Sequence, residues 1–341
     1  MTEDWRLRTA AATALLALIA AGAVPAVAAE PEPPRGVFSA QFDNDFFQGM
    51  DQNYTSGARF SYVAPMEPTH PLRPLARALP LVEGDLRVSY ALAQKLFTPR
   101  DVSQSQPILN DEPYAGYLYV GIGFESERRG EAGRSILESV ELQVGVVGPD
   151  AYGEQTQKAA HRLFGAQDPM GWDNQLNNEL AINLYYDRAW VGWYGTAIGQ
   201  PNSGYRIDLS PYVGAALGNV YTYAAAGATL RFGPNLPPSL GPSSIRPGPP
   251  GTDYYRPVSE MRWYLFAALE GWAYARNIFL DGNTFTDSQS VDKYPFVGDL
   301  RVGLSLQLGR YRFSFSETIG TKQFHGQESN SFGSLSLSYA F

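Results

Sequence analysis

Two groups of residues have the types and spacing to do chemistry. In FSAQFDNDFFQGMDQNYTSGARFSYVAP, Phe38 to Pro65, an alternating apolar pattern runs into Asn44, Asp45, Asp51 and Asn53 and resumes at Thr55. Oxygen-bearing side chains at a strand end either satisfy a turn or hold a hard cation together with water. In DAYGEQTQKAAHRLFG, Gln157 and His161 are four apart and share a helix face, and Asp150 and Glu154 continue the stripe. An imidazole in such company either caps a solvated helix or is oriented to take a proton from water.

Other chemistries find no support. There is no cysteine, which excludes disulfides, thiolate metal sites and a cysteine nucleophile. No G-x-S-x-G elbow is present, and HGQESNSFG, His325 to Gly333, reads as a polar loop. His70 sits in the proline-flanked EPTHPLRP. LDGNTFTDSQSVDK begins like a calcium loop at Asp281 and Asn283, then fails at Phe285 and Thr286 and lacks the final glutamate. A net charge of -8 without a basic stripe excludes a nucleic-acid binder.

The elements that position these residues are strands. Arg6 and Arg8, the apolar AAATALLALIAAGAV and the small residues of PAVAAEP predict an export signal over 1–29, followed by one domain over 30–341. Beyond it no apolar run reaches the roughly 18 residues of a membrane helix. At the carboxyl end Leu335, Leu337, Tyr339 and Phe341 alternate with Ser334, Ser336, Ser338 and Ala340. That is a lipid face opposite a polar lumen face, and similar segments recur about twelve times from Val37–Asp45 onward. The 21 Tyr, 18 Phe and 6 Trp suit the aromatic girdles of such a wall. The fold expected is all-β, a transmembrane antiparallel β-barrel of about 12 strands, with a short helix in an outer loop. With both termini in the periplasm, Asn44, Asp45 and Thr55 fall at the outer rim. The long outward loops are then 96–113, 148–178 and 277–299. Gly233 to Gly251, GPNLPPSLGPSSIRPGPPG, reads as an extended periplasmic excursion without chemistry.

FDNDFF, NYTSGARFSY, DEPYAGYLYVG, QTQKAAHRLFG, PMGWDNQLNNEL and GAALGNVYTYAAAGATLRFGPNLP occur in this order across most of the mature chain. Together with LDGNTFTDSQSVDK these blocks resemble the outer-membrane lipid A 3′-O-deacylase family. The resemblance implies a calcium-dependent hydrolase of the bacterial outer membrane whose site lies between the barrel wall and a loop helix. Its substrate would be lipopolysaccharide, losing the acyloxyacyl group ester-linked at the 3′ position of lipid A. Carried over residue by residue, the site comprises Asn44, Asp45, Thr55, Gln157 and His161, with Gly171 and Trp172 matching a Gly-Trp block. Calcium would take Asp45, Thr55 and Glu179, which follows that block. The family's lysine in the loop after strand three has no counterpart in TPRDVSQSQPILNDEPY, which leaves Arg100 or Lys95 to replace it. A phospholipase-type barrel and a non-enzymatic small barrel are the competing expectations, and a monomer is expected in each case.

Overall fold

The computed structural model describes residues 33–44, 53–81, 83–198, 204–234, 236–237, 240–241, 245, 252–328 and 330–341. The expected export segment 1–29, together with Asp45, Asp51 and Ser329, lies outside them.

Strand-forming alternation closes into a twelve-stranded antiparallel barrel. Its strands are β1 (Val37–Asn44), β2 (Asn53–Pro65), β3 (Asp85–Thr98), β4 (Ala115–Arg129), β5 (Ser135–Val147) and β6 (Glu179–Val191). They are followed by β7 (Tyr205–Gly218), β8 (Tyr221–Pro234), β9 (Arg262–Asn277), β10 (Phe296–Leu308), β11 (Tyr311–Gly320) and β12 (Ser331–Ala340). A short stretch, Tyr194–Ala197, resumes the line of β6 after Gly192 and pairs with β7. The seam is formed by β1 against β12, with Val37 opposite Ala340 and Asn44 opposite Gly333. Closure leaves no free edge, the condition for strands to cross a bilayer.

The alternation read from the last strand holds. Ser334, Ser336 and Ser338 are buried in the lumen, and Ser39 Oγ on β1 donates to Ser338 Oγ across the seam at 2.7 Å. Phe38, Phe42, Phe60, Leu92, Val120 and Leu337 project from the outer wall.

The lumen is filled rather than open. Toward the rim of long loops it holds a cluster that includes Tyr54, Phe97, Tyr117, Tyr119, Tyr221 and Phe279. Toward the rim carrying both termini it is polar, with Arg59, Arg231 and Arg312 buried beside acidic partners.

Among the described residues three helices decorate the barrel. α1 (Arg73–Ala78) lies at the termini rim, α2 (Gly153–Phe164) in the loop after β5, and α3 (Ile278–Asp281) directly after β9. Only α2 was expected from the sequence, and it carries Gln157 and His161.

Candidate active site on the outer wall

Side-chain parity decides which face each candidate uses. On β1, Ser39, Gln41 and Asp43 are buried inside while Phe38 and Phe42 are exposed, so Asn44 continues the outward series. On β3 the outward series is Leu92, Gln94, Leu96 and Thr98, whereas Ala93, Lys95 and Phe97 face the lumen.

Thr55 owes its position to a bulge. Tyr54 pairs with Phe97 and Ser56 with Leu96, so Thr55 is an extra residue on β2 with no opposite number. Bulges re-aim side chains. Here the Thr55 and Thr98 hydroxyls lie 2.6 Å apart, both buried.

Beside them the loop after β5 packs on the outside of β3 and β4. Gln94 Nε2 donates to the Ala151 carbonyl at 2.6 Å, and Leu96 clusters with Tyr114 and Trp172. Two glycines allow the approach. Gly148 has φ of 108°, a region that L side chains rarely adopt, and a Cβ on Gly153 would lie 2.6 Å from the Trp172 ring. The same loop is stitched to the one after β3, since Met170 N donates to Val102 O at 2.8 Å and Asn174 Nδ2 to Ser105 O at 2.8 Å.

On α2, Gln157 is buried and its Oε1 accepts from Trp172 Nε1 at 2.7 Å. His161 Nδ1 meets the Gln167 carbonyl just past the helix. A carbonyl can only accept, so a neutral ring carries its proton on Nδ1 and keeps Nε2 as its basic nitrogen. The helix stripe proposed from sequence is thus partly redistributed. Glu154 pairs with Lys158 at 2.5 Å, and Asp150 sits before the helix in a 3₁₀ turn whose amide is held by Asn178 Oδ1.

Glu179 is not brought to Thr55. It begins β6 and belongs to that strand's lumen-facing series, four strands round from β2, roughly 19 Å at ~4.8 Å per strand. Its carboxylate accepts from Asn219 Nδ2 (2.7 Å), Asn283 Nδ2 (3.1 Å) and Thr284 N (2.7 Å), fastening the loop after β9 to the rim. That network also uses Asn283 of the calcium-loop look-alike, whose Asp281 is occupied by Lys293 at 2.5 Å and Asn277 N at 2.8 Å.

The two basic candidates separate. Lys95 is buried on the lumen side, its Nζ 5.3–5.6 Å from the ring centres of Tyr117, Tyr119 and Tyr221. Its strand puts it on the opposite face from Thr98, so it cannot serve an outer-wall site. Arg100 remains at the outer rim, 3.7 Å from Asp111 Oδ2 and 3.7 Å from Glu328 Oε1. Asp111 also accepts from the amides of Arg100 and Glu112, both at 2.9 Å, yet burial pushes its carboxyl above the usual aspartate range.

Three contributors were missed from sequence: Thr98, Gln167 and Asp43. The last accepts from Tyr54 Oη (3.0 Å), Ser334 Oγ (2.7 Å) and Gln41 Nε2 (3.1 Å) behind the site. A usable signal existed for Thr98: Gln94 and Thr98 are polar at lipid-facing positions of a membrane strand, which marks them as covered or functional. Asn44, Thr55 and Thr98 therefore form an oxygen-rich patch on the lipid-facing wall, and a tautomer-fixed histidine stands on the adjoining helix. Leu163 and Met170 of the same loop are exposed beside it.

Among solved structures the chain resembles LpxR from Salmonella typhimurium, with a TM-score of 0.69 and 21% identity over 89% of this chain and all of that one. It also resembles the β domain of the Bordetella autotransporter BrkA, with a TM-score of 0.45 and 10% identity over 91% of this chain and all of that one. No curated protein sequence matches. The family model for outer membrane protein LpxR matches residues 13–341, nearly the whole chain, and the protein therefore belongs to the LpxR family of bacterial outer-membrane β-barrels.

Proposed function

We propose that the protein is a calcium-dependent ester hydrolase of the outer membrane that removes the 3′-linked acyloxyacyl group of lipid A, using water activated by His161. The observation that carries this reading is the polar patch on the lipid face. Hydroxyls on that face are costly unless covered or used, and these stand on the strand against which the helix bearing an imidazole packs. A site on the outer wall is entered sideways from the leaflet, as a substrate embedded in that leaflet requires.

In this scheme His161 Nε2 takes a proton from water and the oxygen attacks the ester carbonyl. Collapse of the tetrahedral intermediate breaks the acyl C–O bond, and the proton held by His161 goes to the departing sugar hydroxyl. The products are one carboxylic acid and one alcohol. Asn44 orients the carbonyl or the water, and Gln157 holds Trp172 and through it the seat of the helix.

The donors fit calcium in kind, being oxygens only: the Asn44 amide and the Thr55 hydroxyl, with Asp45 following on the chain. Among the described residues no three His, Asp or Glu side chains gather, so the shell would draw on hydroxyl, amide and backbone oxygens, and Glu179 is not part of it. Such an ion supplies Lewis-acid polarisation of the carbonyl.

The deciding experiment is mass spectrometry of lipid A from cells expressing the protein, with calcium or with chelator. Loss of one 3′-acyloxyacyl mass is expected. Intact lipid A alongside a correctly inserted barrel overturns the reading, and acyl loss from phospholipid instead would make the protein a phospholipase.

A further inference from the structure

The connector between β8 and β9 was expected to hang in the periplasm. Several of its described residues are instead buried against the barrel's inner side chains. Thr252, Asp253, Tyr254, Tyr255 and Val258 are buried, as are Leu240 and Ile245. Thr252 N donates to Gly241 O at 3.0 Å.

Partners come from around the wall. Arg59 and Ser61 of β2 donate to Asp253 Oδ2 at 2.7 and 2.5 Å. Arg312 of β11 donates to the Thr252 and Asp253 carbonyls, and Thr252 Oγ1 donates to Glu125 of β4 at 2.6 Å. Tyr255 Oη donates to Ser338 O of β12 at 2.9 Å, and Gln307 of β10 donates to Arg256 O at 2.6 Å. The buried Asp253 carboxylate, facing Arg59, Ser61 and Arg312, belongs to a seated segment, because its departure would strip both guanidinium groups of that partner.

The loop extends to the level of the candidate site. A Cβ on Gly57 would stand 3.1 Å from Ile245 Cγ2 and 2.2 Å from Tyr54 Oη. Gly57 pairs with Asp43 on one side and Lys95 on the other. Ile245 thus backs, from the lumen, the hairpin whose outer face carries Asn44 and Thr55.

We propose that the described parts of the β8–β9 connector, Leu240, Ile245 and Thr252–Tyr255, form a lumenal plug and that Ile245 is a positioning residue for the β1–β2 hairpin; its effect on turnover rests on the deacylase reading above. The chain lacks cysteine, so Ile245→Cys can be probed alone with a membrane-impermeant maleimide. The inserted protein should resist labelling until unfolded, whereas Leu109→Cys, at an exposed loop position, labels at once. Equal rates would overturn the plug, whatever the enzyme does.

For positioning, Ile245→Ala should speed amide hydrogen exchange of residues 53–58 about tenfold and lower kcat about tenfold at unchanged KM, with Ile245→Val restoring both. Unchanged exchange overturns the positioning role. If exchange rises while the wild-type protein releases no acyl chain, the deacylase reading fails and the plug and its contact stand.

Discussion

At the scale of single residues, one hydrogen bond sets the proposed base. The Gln167 carbonyl fixes the His161 tautomer, leaving Nε2 to accept a proton. Replacing His161 with Ala should lower deacylation at least ~100-fold, measured by lipid A mass spectrometry, with the heat-modifiable barrel band unchanged on gels. Thr98→Val keeps the shape of the side chain and removes the hydroxyl shared with Thr55. We expect a loss of activity with a stability change within about 1 kcal/mol, read from urea unfolding, because the bond's net worth is of that order. Gln167 was not legible in the sequence as a site residue, because a backbone carbonyl leaves no mark in residue type. Thr98 did carry a signal, a polar residue at an outward strand position, but its partner Thr55 was set by a bulge that the period of two does not show.

At the scale of elements, the site depends on how closely α2 can lie on β3 and β4. Gly153 allows Trp172 to pack beneath the helix start and to donate to Gln157. A methyl group there meets an aromatic ring held on its other side by Tyr114, with ring centres 5.0 Å apart. Gly153→Ala should therefore unseat the loop, seen as faster proteolysis within 148–178 in an otherwise resistant barrel, together with reduced turnover. Trp172→Phe keeps the packing but removes the indole donor to Gln157, a loss of about 1 kcal/mol that should shift the same proteolysis assay in the same direction. The helix itself was evident from Gln157 and His161 spacing. Its docking was not, because the contacts join residues 94, 151 and 172, which only the fold makes neighbours.

At the scale of the whole molecule, barrel and site are separable in energy. The wall rests on a closed ladder and on a lumen packed with aromatic residues and buried ion pairs. Calcium is proposed to act at the outer rim alone. Chelation should accordingly abolish deacylation while leaving heat-modifiability and urea resistance unchanged, and activity returns on adding calcium. Activity persisting in excess chelator would instead point to a reaction run by His161 without metal.

The sequence by itself determined the barrel. A period of two over some ten residues fixes which side chains meet lipid and which meet the lumen, and the count of such segments fixes closure. It also determined the helix that carries Gln157 and His161, and the clustering of Asn44 with Thr55, since these are local in the chain. The tertiary structure alone decided the rest. Lys95 faces the lumen while Thr98, three residues on, faces lipid. Glu179 is drawn to Asn219 and Asn283 instead of to Thr55. Thr252 and Asp253, just past the Pro-rich stretch for which composition suggested only an excursion, are held inside by Arg59 and Arg312. Each of these outcomes turns on which distant strands become neighbours and on buried charges finding partners there. Local propensity and periodicity carry no record of such pairings.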